Sequence, residues 1–157
     1  MKAWAAVLVI FILTLRLAAC ADTTTREQRF ANMQRLAEKG DAGAQYNLGL
    51  MHAQGYGVTP DMRKAAAWFE KAAANGEANA QYRLGSLYYH GQGVPKDLEQ
   101  AAAWYKKAAE QGNTPAQAAL GNMYLSGEGV PRDSSKAVYW QKKSLTLQNQ
   151  RNFTRNY

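Results

Sequence analysis

A period of 36 residues constrains this chain more than any other feature. The hexapeptide Ala44-Gln45-Tyr46-Asn47-Leu48-Gly49 returns as Ala80-Gln81-Tyr82-Arg83-Leu84-Gly85, then as Ala116-Gln117-Ala118-Ala119-Leu120-Gly121, with no slip in spacing. Nearly half of the positions in 44–79 recur unchanged in 80–115. A repeat this short cannot bury an apolar face by itself, so such units fold only by stacking on their neighbours.

Each unit carries two helix signals. A Gly-x-Gly-Val segment lies at 55–58, 91–94 and 127–130, followed by Asp61, Asp97 and Asp133. Glycine accepts the positive φ that ends one helix, and aspartate accepts hydrogen bonds from the free N–H groups that open the next. The pattern predicts a first helix over about Ala44–Gln54 and a second over about Met62–Asn75. Gly76 stops the second helix, Gly112 repeats the stop, and Gly40 anticipates it. Gly40 therefore marks Glu27–Lys39 as a lone second helix ahead of the first full unit. Alanine dominates the apolar content while β-branched residues are scarce beyond the first fifteen positions, which favours packed helices over sheets.

These signals divide the chain into a repeat domain over 27–148 and a polar tail over 149–157. The domain holds a half repeat at 27–43 and full repeats near 44–79, 80–115 and 116–148. The last helix, from about Ser134 to Gln148, has no successor, and Leu145, Leu147 and Phe153 are expected to fold over its exposed side. Gly49, Gly85 and Gly121 fall inside first helices, where glycine costs about 1 kcal/mol relative to alanine. Their recurrence implies close helix approach, answered by Ala65-Ala66-Ala67-Trp68 and Ala101-Ala102-Ala103-Trp104. The tryptophan is expected to be the large plug. Trp104 should then be a core residue of the middle unit, and Trp140, in the outermost helix, a less buried one.

The N-terminus reads as an address. Lys2 supplies a positive charge, and Trp4–Leu15 form an apolar run that is too short to span a bilayer, which needs about 20 residues, but suits a secretory signal. The next segment, Leu17-Ala18-Ala19-Cys20, resembles the lipobox of bacterial lipoproteins. The resemblance implies a signal peptide over 1–19, lipidation of Cys20 and a tether over 20–26. Cys20 is the only cysteine, so it has no disulfide partner within the chain. Arg16 departs from the lipobox pattern, and cleavage by the ordinary signal peptidase is the alternative. In Gram-negative lipoproteins an aspartate directly after the cysteine signals inner-membrane retention. Ala21 holds that place here and Asp22 follows, so the resemblance implies the outer membrane, facing the periplasm.

Few chemistries fit the residues present. The formal charge of +7 falls to about +5 without Lys2 and Arg16, and the cations are scattered as pairs such as Lys106-Lys107. Solvated helix faces explain them better than a nucleic-acid footprint. The Gly-x-Gly turns lack the Lys-Ser/Thr and the preceding strand of a phosphate-binding loop. His52 and His90 lie 38 residues apart, out of register with the repeat, and packing explains them better than metal ligation. Ser134-Ser135-Lys136 lacks the Ser-x-x-Lys spacing of an activated serine. No catalytic residue, metal or cofactor is expected.

The recurring motifs together resemble the Sel-one-like repeat, a relative of the tetratricopeptide repeat, over about residues 30–147. That resemblance implies an all-α, right-handed α-solenoid of about three and a half helix-turn-helix units, acting as an adaptor or scaffold for a protein or peptide partner. Some members with paired cysteines in every repeat are β-lactamase-like. This chain has no cysteine in any repeat, and that hydrolase alternative is the weaker one. A structural or immunity-type lipoprotein that blocks a single partner through the convex face is the other alternative.

In repeats of this kind the first helices line the concave side. Tyr46, Leu50 and Ala53 form one stripe at i, i+4 and i+7. Their equivalents are Tyr82, Ser86 and Tyr89, then Ala118, Asn122 and Leu125. The stripe varies between units while Leu48, Leu84, Leu120 and the glycines do not. These positions are the candidate partner-binding residues, on a chain expected to be monomeric and held to the membrane through lipid on Cys20.

Overall fold

A computed structural model describes the backbone of residues 25–155 and the side chains of 25–146. Within that span the chain is a solenoid of seven α-helices: α1 (25–38), α2 (Ala42–Gln54), α3 (Met62–Ala74), α4 (Ala78–His90), α5 (Leu98–Glu110), α6 (Thr114–Ser126) and α7 (Ser134–Arg155). The pairs α2 with α3, α4 with α5 and α6 with α7 pack as units, and α3 with α4 and α5 with α6 join one unit to the next. The expected signal peptide over 1–19 and Cys20 lie outside the described residues.

Side-chain caps set the helix boundaries. Asp61 accepts from the Arg63 and Lys64 amides, Asp97 from Gln100 and Asp133 from Lys136. The first helices open two residues earlier than the repeat motif suggests. Asp41, Glu77 and Asn113 are their N-caps, accepting from the amides of Ala44, Ala80 and Ala116. Gly55, Gly91 and Gly127 close them in the left-handed conformation.

Two boundaries differ from expectation. Thr25 and Arg26, assigned to the tether, already belong to α1. At the other end α7 continues to Arg155, through most of the expected tail. Gln148 stands where Gly76 and Gly112 terminate α3 and α5, so nothing there breaks the helix. Leu145 remains exposed, and the side chains of Leu147 and Phe153 lie outside the described set.

The core is a row of clusters at the junctions between units. One joins Ala65, Ala66, Phe69, Ala72 and Ala73 of α3 to Ala80, Leu84 and Leu87 of α4. The next repeats it with α5 and α6, and a smaller one joins Ala37 of α1 to Ala44 and Leu48 of α2. The glycine positions explain the tight intra-unit contact. A Cβ on Gly49 would lie 2.6 Å from the Phe69 ring, and one on Gly85 would lie 2.7 Å from the Tyr105 ring.

The aromatic plug is therefore Phe69 or Tyr105, the residue after the tryptophan, and the expected role of tryptophan needs correcting. Trp68 and Trp104 are half-buried flanking residues, each laid on the cluster one junction earlier and covered by a lysine ammonium, with Lys71 4.1 Å and Lys107 4.0 Å from the ring centres. Trp104 lies against α3 and α4 rather than between the first helices of the second and third repeats. Trp140, expected to be the less buried, is the most enclosed of the three at 8% exposure, as part of the α5–α6 cluster.

Candidate functional site

The first helices present the stripe that sequence periodicity singles out, and the structure gives its members different surroundings. Tyr46, Leu50 and Ala53 are half-buried against the α3–α4 cluster, with the Tyr46 and Phe69 rings 5.8 Å apart. Tyr82 and Tyr89 sit likewise against the α5–α6 cluster, with Tyr82 5.7 Å from the Tyr105 ring. Ser86 is half-buried. Asn122 and Leu125 face solvent, and Ala118 is half-buried. The first two stripes are thus packed against the junction clusters, and the third presents Asn122 and Leu125 to solvent.

The stripes of the second and third repeats converge on one concavity. The Tyr89 hydroxyl donates to Glu128 Oε2 at 2.8 Å, tying α4 to the turn after α6, and Ser126 Oγ donates to the same carboxylate at 3.2 Å. Between these elements lies a shallow cavity of about 210 Å³ lined by Tyr89, His90, Tyr105, Ala119, Asn122, Met123 and Glu128. Its floor is Tyr105, whose phenol burial pushes up to about 12, so that it stays neutral at any physiological pH. Accepting the Tyr89 hydrogen bond, the Glu128 carboxylate raises the Tyr89 pKa as well. Gln141 Nε2 donates to Asn122 Oδ1 at 3.3 Å.

This arrangement offers a carboxylate, an amide and the Tyr89 phenol around the Tyr105 floor. Such a set, with the His90 imidazole beside it, suits orientation of a polar segment. Among the described residues no group of three or more His, Cys, Asp or Glu side chains could hold a metal ion. His90 is exposed and stacks edge-on against Tyr89 at 5.0 Å. His52 instead is buried, with its ring 5.3 Å from Phe30.

Periodicity could not place Glu128, His90 or Tyr105 in this site. Glu128 carries a signal in the sequence, because it fills the variable place of the Gly-x-Gly turn where Tyr56 and Gln92 stand in earlier units. A variable residue inside an invariant turn is the same signal that marked the helix stripe.

The Sel1 repeat family model matches residues 42–77, 78–113 and 114–149. Among solved structures, the fold is similar to a protective antigen of uropathogenic Escherichia coli with an SLR fold, at 39% identity and a TM-score of 0.72, over 73% of this chain and 25% of that one. A Sel1 repeat protein from Oxalobacter formigenes is similar at 43% identity and a TM-score of 0.73, over 78% of this chain and 35% of that one. Cysteine-rich protein B of Helicobacter pylori shares the fold at 23% identity and a TM-score of 0.63, over 77% of this chain and 90% of that one. The chain thus spans only about a quarter and a third of the length of the first two. No curated protein matches the sequence.

Proposed function

The chain belongs to the Sel1-repeat family, and from that membership we propose that it is a non-enzymatic adaptor of the bacterial envelope that binds a protein or peptide through its first-helix surface. Repeat solenoids serve generally as protein-interaction scaffolds, because stacked units offer an extended surface whose residues can change without disturbing the core. The observation that carries the reading is the contrast between the invariant Leu and Gly positions of the first helices and the changing residues of the adjoining stripe, two of which, Tyr89 and Asn122, line the Tyr89–Glu128 cavity. The partner segment fitted to that cavity is extended and polar, with a donor for the free valence of the Glu128 carboxylate and an apolar side chain over Tyr105.

Lipid anchoring through Cys20 and an outer-membrane position form the second part of the proposal. Lys2, the apolar run Trp4–Leu15 and the Leu17-Ala18-Ala19-Cys20 segment support it. Among the described residues no helix is long and apolar enough to cross a membrane. In cells, Cys20→Ala should abolish palmitate labelling and release the protein from the membrane fraction; persistent labelling would overturn the anchor.

For the binding surface, the test is capture of partners from envelope extracts by the protein and by a Tyr89→Phe, Asn122→Ala double variant. Both changes leave the apolar packing in place. Loss of the captured species with unchanged helicity supports the cavity. Equal capture by the variant moves the contact elsewhere.

A further inference from the structure

The two inner core clusters are each covered on one side by the first helix of the preceding unit. Tyr46, Leu50 and Ala53 of α2 lie on the α3–α4 cluster, and Tyr82 and Tyr89 of α4 lie on the α5–α6 cluster. The outermost cluster, between α1 and α2, is flanked by Trp68, Phe30, Met33 and Met51, all from α1, α2 and α3. Among the described residues no helix takes the covering place. The consequence is visible in burial at equivalent positions. Phe69 and Leu87 are buried, whereas Met33 and Met51, 36 residues earlier, are only half-buried. Ala72 is fully enclosed, whereas Leu36 in its place is 46% exposed. A groove of about 570 Å³ runs between α1 and α2 there, with Met33, Leu36, Leu50 and Met51 along it and Arg29 at its rim.

We propose that this groove is an acceptor site for one amphipathic helix of a partner protein, docked as α2 docks on α3 and α4. The fold states the chemistry of the occupant. Each internal helix in that place has 13 residues. Each sets a glycine against the aromatic ring of the second helix, Gly49 on Phe69 and Gly85 on Tyr105, and Met33 holds that ring's position. The incoming helix therefore carries glycine or alanine opposite Met33, with a larger apolar residue three positions before it, where Tyr46 stands beside Phe69, to cover Met33 from the flank. Arg29 is the charged residue among those lining the groove and none of them is acidic, so a carboxylate on the helix flank complements it.

The chain's own sequence points outside itself for this occupant. In the repeat register residues 6–18 would stand there, but Leu13 falls at the glycine place and Ala19-Cys20-Ala21 replaces the Gly-x-Gly turn. The first helices of a second copy are committed to their own units. The inference rests on the reading of this chain as a binding module, but it concerns a surface separate from the Tyr89–Glu128 cavity.

The test uses the full chain and a fluorescent, hydrocarbon-stapled peptide with the sequence of Ala42–Gln54, measured by anisotropy. Saturable binding is expected, weakened at least about tenfold by Leu36→Glu, since a charge would enter the apolar contact. A peptide with leucine in place of its central glycine should weaken to a similar degree. Val138→Glu, at the opposite end of the solenoid, should change nothing, and circular dichroism should match for all variants because Leu36 and Val138 are both exposed. Absence of saturable binding, or equal effects of Leu36→Glu and Val138→Glu, would overturn the proposal. So would absence of binding by the chain that starts at Cys20, the mature form in the lipoprotein reading, and a dimer that Leu36→Glu dissociates in sedimentation would assign the groove instead to a second copy. Envelope capture by the Leu36→Glu variant reads the Tyr89–Glu128 cavity separately, so the two surfaces can fail independently.

Discussion

Gln45, Gln81 and Gln117 occupy one repeat position and are buried, and each donates its side-chain amide to the carbonyl of Ala37, Ala73 or Ala109 near the end of the preceding second helix. Asn75 and Gln111 donate in turn to the side-chain oxygens of Gln45 and Gln81 at 2.9 and 2.8 Å. Gln117 Oε1 has no protein partner among the described residues, and position 147, the register equivalent of 75 and 111, carries leucine. Leaving a buried acceptor unmade costs about 1–3 kcal/mol. Gln111→Ala should therefore destabilise the protein by about that amount in urea unfolding, although Gln111 itself is exposed. His52 supplies a second residue-scale prediction. Burial, with Lys64 adding to it, lowers its pKa below the ordinary imidazole value, so the folded state favours the neutral ring. The stabilisation is complete above the unfolded pKa of about 6.5. It is lost as pH falls from there through the lowered folded value. His52→Tyr, which installs the residue found at 88 and 124, should flatten the dependence of the thermal midpoint on pH between about 7.5 and 5. An identical slope in both proteins would show that another group controls it.

Among the elements, the second helices were legible as amphipathic stretches bounded by Asp and Gly, but the face they bury was misassigned by one residue. Ala-Ala-Ala-Trp drew attention to tryptophan, the largest side chain, yet the glycine of the first helix faces the residue after it. The repeats vary this position, as Phe69, Tyr105 and then Gln141, which made it inconspicuous. Phe69→Ala removes an enclosed ring and should cost about 3–5 kcal/mol. Trp68→Ala, at a half-buried site, should cost less. Trp140→Ala should lower the thermal midpoint at least as much as Trp104→Ala, the reverse of what position in the array suggests, because Trp140 closes the last cluster while Trp104 flanks one already built from α3 and α4. Circular dichroism melts of the four variants check both orderings.

At the scale of the molecule, stability is the sum of unit terms and junction terms. The α3–α4 and α5–α6 junctions hold the two large clusters, and the α1–α2 junction holds the small one. Hydrogen exchange should therefore be slowest in α3 to α6 and fastest in α1 and the final turns of α7, on the principle that opening free energy follows local apolar burial. Binding of the stapled helix peptide to the first groove should slow exchange in α1 and α2 selectively. Uniform protection along the array would mean that the junctions are equivalent and that the end groove has no special character.

The sequence alone determined the repeat length, the count of three and a half units, the helix order and the caps of the second helices, because each rests on interactions within a few residues: a glycine with positive φ, an aspartate over free amides, an apolar residue every three or four places. It also marked Tyr82, Ser86, Tyr89 and Asn122 as changeable positions on a fixed frame. The tertiary structure decided what those positions touch. Tyr89 meets Glu128 from 39 residues away, Phe69 rather than Trp68 fills the space at Gly49, and among the described residues no helix covers the first junction as α2 and α4 cover the others. Periodicity reports which face of a helix is apolar, but not whether a neighbour arrives to cover it. That depends on the stacking angle and on where the array begins and ends, both of which are set by contacts between units.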